Sequence, residues 1–214
     1  MKSRRFPETR RSFQNDVEVA THLNNRQKNS YIMNAKKQGM KYVLRKTVLY
    51  LILFVSITFI YALIPQQQAI VFQSNDNPSN YIYIPTKKES FFKIKYTHSI
   101  HLTDVVETYK ITKKQTIQQV ELMYEDFAIG MPANAGEGET FEQENGKYYI
   151  KNMKRIFPSF HLRIGQVRAN HRVIYQNKEY PLSRYIRPGT SVKVEIRNLN
   201  YFQQRKGVNI LESL

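Results

Sequence analysis

From Thr47 to Ile64 the chain reads TVLYLILFVSITFIYALI, eighteen residues without a charge. A helix needs roughly 17–25 apolar residues to cross a hydrocarbon layer about 30 Å thick. The run therefore predicts one transmembrane helix, with Thr47 and Ile64 as its ends. Tyr50 and Tyr61 sit near the two interfaces, where amphipathic rings are favoured. Pro65 follows at once and stops the helix. The competing reading is a core helix of a soluble domain, which seldom carries so pure an apolar run.

Charge sets the expected orientation. Residues 1–46 hold 12 Lys/Arg against 3 Asp/Glu, and residues 65–214 hold 21 against 14. Lys36, Lys37, Lys41, Arg45 and Lys46 lie just before the apolar run, and Asp76 is the only charge between Gln66 and Pro85. The positive-inside rule then puts the N-terminus in the cytoplasm and the C-terminal part outside the cell membrane. Most of the excess positive charge is a topology signal, which removes the main argument for a nucleic-acid partner. The stretch Pro65-Gln66-Gln67-Gln68-Ala69 offers no small-x-small cleavage site, so the helix reads as a retained signal-anchor. Met40 opens MKYVLRKTVLYL, which has the form of a signal-anchor start, and translation from Met40 or Met33 is an alternative to Met1.

The expected organisation is a basic, disordered tail over 1–46, the span at 47–64 and a polar linker at 65–89. A β domain at 90–200 and a tail at 201–214 complete it. The chain has no cysteine, so no disulfide or thiolate chemistry is available. About 150 residues after the helix are enough to fold without such staples.

The β expectation rests on short alternating segments. These are Phe92-Ile94-Tyr96, Val105 to Ile111, Val120-Leu122-Tyr124, Tyr148-Ile150, Phe160-Leu162-Ile164, Val173-Tyr175 and Val192-Val194-Ile196. Turn signals lie between them: Gly130-Met131-Pro132, Asn145-Gly146, Gly165, Asn177-Lys178 and Pro188-Gly189. The fold class is all-β, an antiparallel sandwich or barrel-like domain preceded by one transmembrane α-helix. Glu137, Glu139, Glu142 and Glu144 offer oxygen ligands but lack the alternation of a calcium loop. They read as a solvated loop.

Functional residue types concentrate in Tyr96-Thr97-His98-Ser99-Ile100-His101, continuing through Asp104 to Glu107. Adjacent strand residues point to opposite faces, which separates His98 from Ser99 as base and nucleophile. No Gly-x-Ser-x-Gly elbow is present. His98, His101 and a carboxylate from Asp104 or Glu107 have ligand chemistry but no strict metal motif. The simpler reading has His98 and Ser99 bonding backbone groups at a turn, with Glu107 buried and paired on the next strand. That arrangement also allows a ligand pocket. No catalytic residue, metal or cofactor is assigned.

These motifs carry a resemblance. His98-Ser99-Ile100, followed by Thr103, Val105, Val106, Glu107 and Tyr109, resembles the signature of the bacterial family named domain of unknown function 1850. Phe127 to Pro132 is similar to its Gly-containing turn, Asn145-Gly146-Lys147-Tyr148 to its Asp-Gly-x-Tyr step, and Leu162 to Gly165 with His171 to a later strand. Asp104 stands where the family often has Pro, and Ala128-Ile129 replace Gly-Ala. The resemblance implies a non-enzymatic accessory protein working beside a TAXI-type TRAP solute transporter. Its implied partners are the lipid bilayer and the transporter's membrane subunit or solute-binding protein. His98, Ser99, Glu107, Gly130 and Pro132 are the candidate binding residues. The alternative is an extracytoplasmic enzyme or ligand-binding domain using His98 and Glu107.

Overall fold

The computed structural model of the protein describes residues 25–87, 90–125 and 131–212. The chain divides into two compact units, Met1–Tyr61 and Ala62–Leu214.

Helix α1 runs Asn25–Leu63. It ends one residue before Ile64, ahead of Pro65, which cannot continue it. Its apolar part has no buried residue: Leu49, Leu51, Phe54 and Ile60 are each more than half exposed. This is not the core helix of a soluble domain, and by length and composition it is able to cross a membrane. The polar atoms inside the run are satisfied locally. The hydroxyls of Thr47, Ser56 and Thr58 donate to the carbonyls of Val43, Ile52 and Phe54, one turn back.

The helix begins far ahead of the apolar run, so residues 25–46, expected as disordered tail, are helical. Disorder was inferred from the lack of an apolar stripe. Ala35, the lysines and the glutamines of this stretch are nevertheless good helix formers, and an existing apolar helix removes the cost of a new nucleus. Residues 1–24 of the expected tail lie outside the described residues.

The second unit is a two-sheet β structure. Its strands are β1 (Gln67–Ser74), β2 (Tyr81–Pro85), β3 (Phe91–Thr97), β4 (Asp104–Ile111), β5 (Ile117–Tyr124), β6 (Thr140–Glu144) and β7 (Lys147–Lys151). There follow β8 (Arg155–Phe157), β9 (Ser159–Arg163), β10 (Arg172–Tyr175), β11 (Lys178–Pro181), β12 (Ser191–Leu199), a short helix α2 (Tyr201–Lys206) and β13 (Val208–Asn209). One sheet has the order β13-β2-β1-β12-β9. The other has the order β11-β10-β3-β4-β5-β7-β6, with β8 also on β5. All pairings are antiparallel except β13 with β2. The all-β class and the antiparallel sandwich are thereby established.

The main core lies between the sheets. Ile70, Phe72, Ile84 and Val194 come from the first sheet; Phe92, Ile94, Ile111 and Val173 come from the second. The second sheet extends past the first, and there Val105, Leu122, Tyr124, Ile150 and Met153 form a separate cluster against Met131 and Ala135. On the first sheet, Ala69, Val71, Tyr81, Tyr83 and Leu199 form a third cluster. The phenols of Tyr81 and Tyr83 donate to the carbonyls of Gln203 and Gln204 in α2.

Two expectations about the ends of this unit are corrected. The stretch 65–89 is not a linker but contains β1 and β2. Ala69-Ile70-Val71-Phe72 and Tyr81-Ile82-Tyr83-Ile84 are buried throughout. They therefore read as continuous apolar runs without the alternation of half-buried strands, and the Asn75–Pro78 cluster is their hairpin turn. The tail after 200 is not structureless either. Asn200 and Gln203 form a reciprocal capping box that starts α2.

Candidate functional site

Strand β3 ends at Thr97, and the chain turns through His98–Thr103 into β4. The turn is closed by the amide of His98 donating to Thr103 O at 2.8 Å and that of Leu102 to His98 O at 3.0 Å. Leu102 takes a positive φ of 59° to complete it, a conformation rare outside Gly and Asn. The His98 Nδ1 accepts from the amide of Ile100 at 3.4 Å, which leaves Nε2 to carry the ring proton. Ser99 is exposed and His98 partly buried. The His98 and His101 rings lie 5.8 Å apart, tilted by 44°. Asp104, a notional metal ligand beside them, is held instead by Lys95 at 2.8 Å. Among the described residues no group of three or more His, Asp or Glu is placed to hold a metal.

The turn forms one wall of a cleft of about 350 Å³. Its other wall is the segment from Arg163 to His171, tied to β3 by the amide of Thr97 donating to Ala169 O at 2.8 Å. His171 is buried, and its ring stacks on Tyr96 with centroids 5.3 Å apart. Its Nδ1 accepts from the amide of Gly165 at 3.2 Å, so Nε2 again carries the proton. Burial holds the His171 imidazole below its ordinary pKa and favours the neutral ring. Gly165 is required here: a Cβ on it would stand 2.4 Å from Ala169 Cβ.

The chemistry of the lining is one-sided. Arg163 contributes a guanidinium, His98 and His171 imidazoles, and Thr97 and Ser99 hydroxyls; among the described residues no Asp or Glu lines the cleft. Arg163 also has no ion-pair partner among the described residues. Such a lining suits a carboxylate or another small anion, which a guanidinium binds in two parallel hydrogen bonds.

Glu107 lies elsewhere. It pairs across from Ile94 and Leu122, so its side chain shares the inner face of the second sheet. Its Oε2 accepts from the phenol of Tyr109 at 2.5 Å. Burial raises the Glu107 pKa, and the bond from Tyr109 offsets part of that rise. The phenols of Tyr109 and Tyr96 are pushed up in turn, first by burial and then by the Glu107 charge. Tyr96 is thus shared: it lines the cleft on one side and senses Glu107 on the other. A bulge that places Val120 as an extra residue of β5 sits beside this group, and bulges often re-aim side chains near functional sites.

Gly130 lies outside the described residues. Pro132 contributes through its backbone, its carbonyl accepting the phenol of the buried Tyr124. The acidic segment is not an open loop: Thr140–Glu144 is the edge strand β6. Glu139 makes a two-point pair with Arg155 at 3.1 Å for each bond, and Glu142 pairs with Lys151. Arg163 and His171 are the cleft residues that sequence reasoning did not single out as a site. His171 stood within the family pattern, and only the β9–β10 connection brings it to His98.

The class is a β-sandwich with a polar cleft, preceded by an apolar helix consistent with a single-pass anchor. Residues 92–182 match the family model described as Domain of unknown function (DUF1850). The match contains the whole His98 cleft and Glu107 but leaves out β1, β2 and β12. No curated protein and no solved structure matches the chain.

Proposed function

We propose that this chain is a membrane-tethered accessory protein that binds a small organic anion in the His98–His171 cleft, outside the cell membrane, and acts with a TRAP-type solute transporter. The observation that carries the ligand class is the cleft lining, which offers Arg163, two imidazoles and two hydroxyls with no carboxylate to oppose an anion. The orientation is supported by the lysines and arginines that precede the apolar run. The transporter as partner is supported by the family resemblance alone. In this reading the exposed turn from Ser99 to Leu102 contacts the membrane subunit or its solute-binding protein.

The protein acts here by binding. General acid–base work by His98 and Glu107 finds less support, because such a pair needs direct or water-bridged reach to one substrate. Glu107 does not line the cleft, and Tyr109 already occupies one of its oxygens.

The test is calorimetric titration of the full chain in lipid nanodiscs with succinate and glutarate, beside uptake of the same acids in cells lacking the gene. Arg163→Gln is expected to weaken binding about tenfold or more, the range for a lost charge-assisted bond. Absence of any heat with either acid sinks the ligand class. Normal uptake in the deletion strain sinks the transporter role.

A further inference from the structure

The opposite end of the sandwich holds a second and larger cavity, of about 610 Å³. Strand β10 spans the distance between them: His171 precedes its first residue, and Tyr175, its last, lines the second cavity. The two sites share no lining residue.

This cavity arises where the core pattern of the first sheet changes. Along the inner face, Ile84, Ile70 and Ile196 sit opposite one another across β2, β1 and β12. Two residues further along, the same row becomes Thr86, Gln68 and Asn198: Gln68 pairs with Asn198, and the amide of Thr86 donates to Gln68 O at 2.8 Å. A side-chain period of two keeps these polar groups facing inward. Two turns of the second sheet add Gln115 and Gln176.

Those polar groups are not all satisfied. Thr86 is 5 % exposed, and among the described residues its Oγ1 has no hydrogen-bond partner; the Oε1 of Gln68 is also buried without one. A buried polar atom without a partner is costly, and both residues line this cavity. Leu or Val at either position would extend the core at no such cost. The row is therefore built for something that brings hydrogen-bond donors.

From this we infer that the cavity is a binding site for a neutral, hydroxyl-rich ligand, a saccharide. Carboxamides supply a donor and an acceptor on one rigid plane, which matches adjacent hydroxyls. Pro85 and Tyr175 supply apolar surface for the carbon face of a sugar ring. Among the described residues Lys87 is the only charged one in the lining, which separates this site from the cationic cleft. Gln68, Thr86 and Asn198 all lie outside the DUF1850 match, so the site depends on strands beyond the matched residues.

The experiment is NMR of the full chain in lipid nanodiscs, which avoids sugar-headed detergent, titrated with the N-acetylglucosamine trimer and with maltotriose. At least one is expected to shift the side-chain amide resonances of Gln68, Gln115 and Gln176 and leave the backbone amide resonances of Gly165 and His171 in place. Thr86→Val and Gln68→Leu are each expected to weaken that binding about tenfold, the effect of one lost hydrogen bond. Both variants remove an unsatisfied group, so their melting temperatures without ligand should hold or rise, which shows that they fold. The inference is overturned if neither saccharide shifts these resonances. It is equally overturned if both variants keep wild-type affinity, or if succinate displaces the sugar.

Discussion

The phenol of Tyr109 donates to Glu107 across 2.5 Å, between two residues of one strand that face the same side of the sheet. This bond keeps a carboxyl tolerable where burial disfavours its charge. Because the folded-state pKa is raised, the folded protein binds the Glu107 proton more tightly than the unfolded chain does. Stability from this group is greatest at acidic pH and falls as pH rises through the raised value. Glu107→Gln is expected to flatten the melting-temperature profile above the ordinary glutamate pKa and to raise the alkaline end. Tyr109→Phe is expected to cost about 1–3 kcal/mol, as for a buried acceptor left without its partner. Denaturant melts of both variants across pH provide the check, and an unchanged slope in Glu107→Gln would contradict the assignment.

His171 gives the opposite sign. Its folded pKa is lowered by burial, so the stability it confers is present above the ordinary histidine pKa and is lost as pH falls through the lowered value. A ¹H–¹³C titration of its ring protons should show it titrating below the usual value of about 6.5. The Gly165 amide resonance should shift in step, since that amide donates to Nδ1.

Gly207 lies against the ring of Tyr81, where an added Cβ would stand 2.3 Å from Cε2. Gly207→Ala is expected to destabilise the sandwich by about 1–3 kcal/mol, the usual cost of overpacking. It should also raise hydrogen exchange at Val208 and Asn209, whose short strand pairs with β2. Unaltered exchange there would mean that the contact relaxes freely.

Phe54, 68 % exposed in the middle of the apolar run, reports on the membrane reading. Phe54→Arg carries a cost of about 2.5–3.5 kcal/mol at a helix centre in a bilayer. Alkaline extraction should leave the wild-type chain in the membrane fraction and release a growing share of this variant. In a soluble setting an exposed Phe→Arg change would be innocuous.

Legibility in the sequence followed burial on one face or two. Phe92-Ile94-Tyr96 and Val192-Val194-Ile196 alternate because one side packs on the core, and their strands were visible. Ala69 to Phe72 and Tyr81 to Ile84 pack on both sides, so their period vanished and they passed for a linker. The Asn145-Gly146 turn was legible from residue type, and both residues take positive φ. The β10–β11 turn was placed one residue late, because its left-handed positions are Gln176 and Asn177. For the site, His98 and Ser99 stood out by residue type, whereas Arg163 reaches them only through the pairing of β9 with β12. Glu107 was visible as a strand carboxylate, but only the register shows that it faces the core rather than the cleft.

Strand β1 emerges almost directly from α1 yet pairs with β12, Gln67 opposite Leu199. Its other neighbour, β2, is bordered by β13, from the last residues described. The sheet nearest the helix in sequence therefore is not complete until the chain has been made past Asn209. Contacts of such long sequence separation form slowly. During synthesis, the apolar β1–β2 hairpin must wait for its outer partners β12 and β13. This interval, rather than the finished sandwich, is when the protein is most exposed to aggregation and most in need of a chaperone.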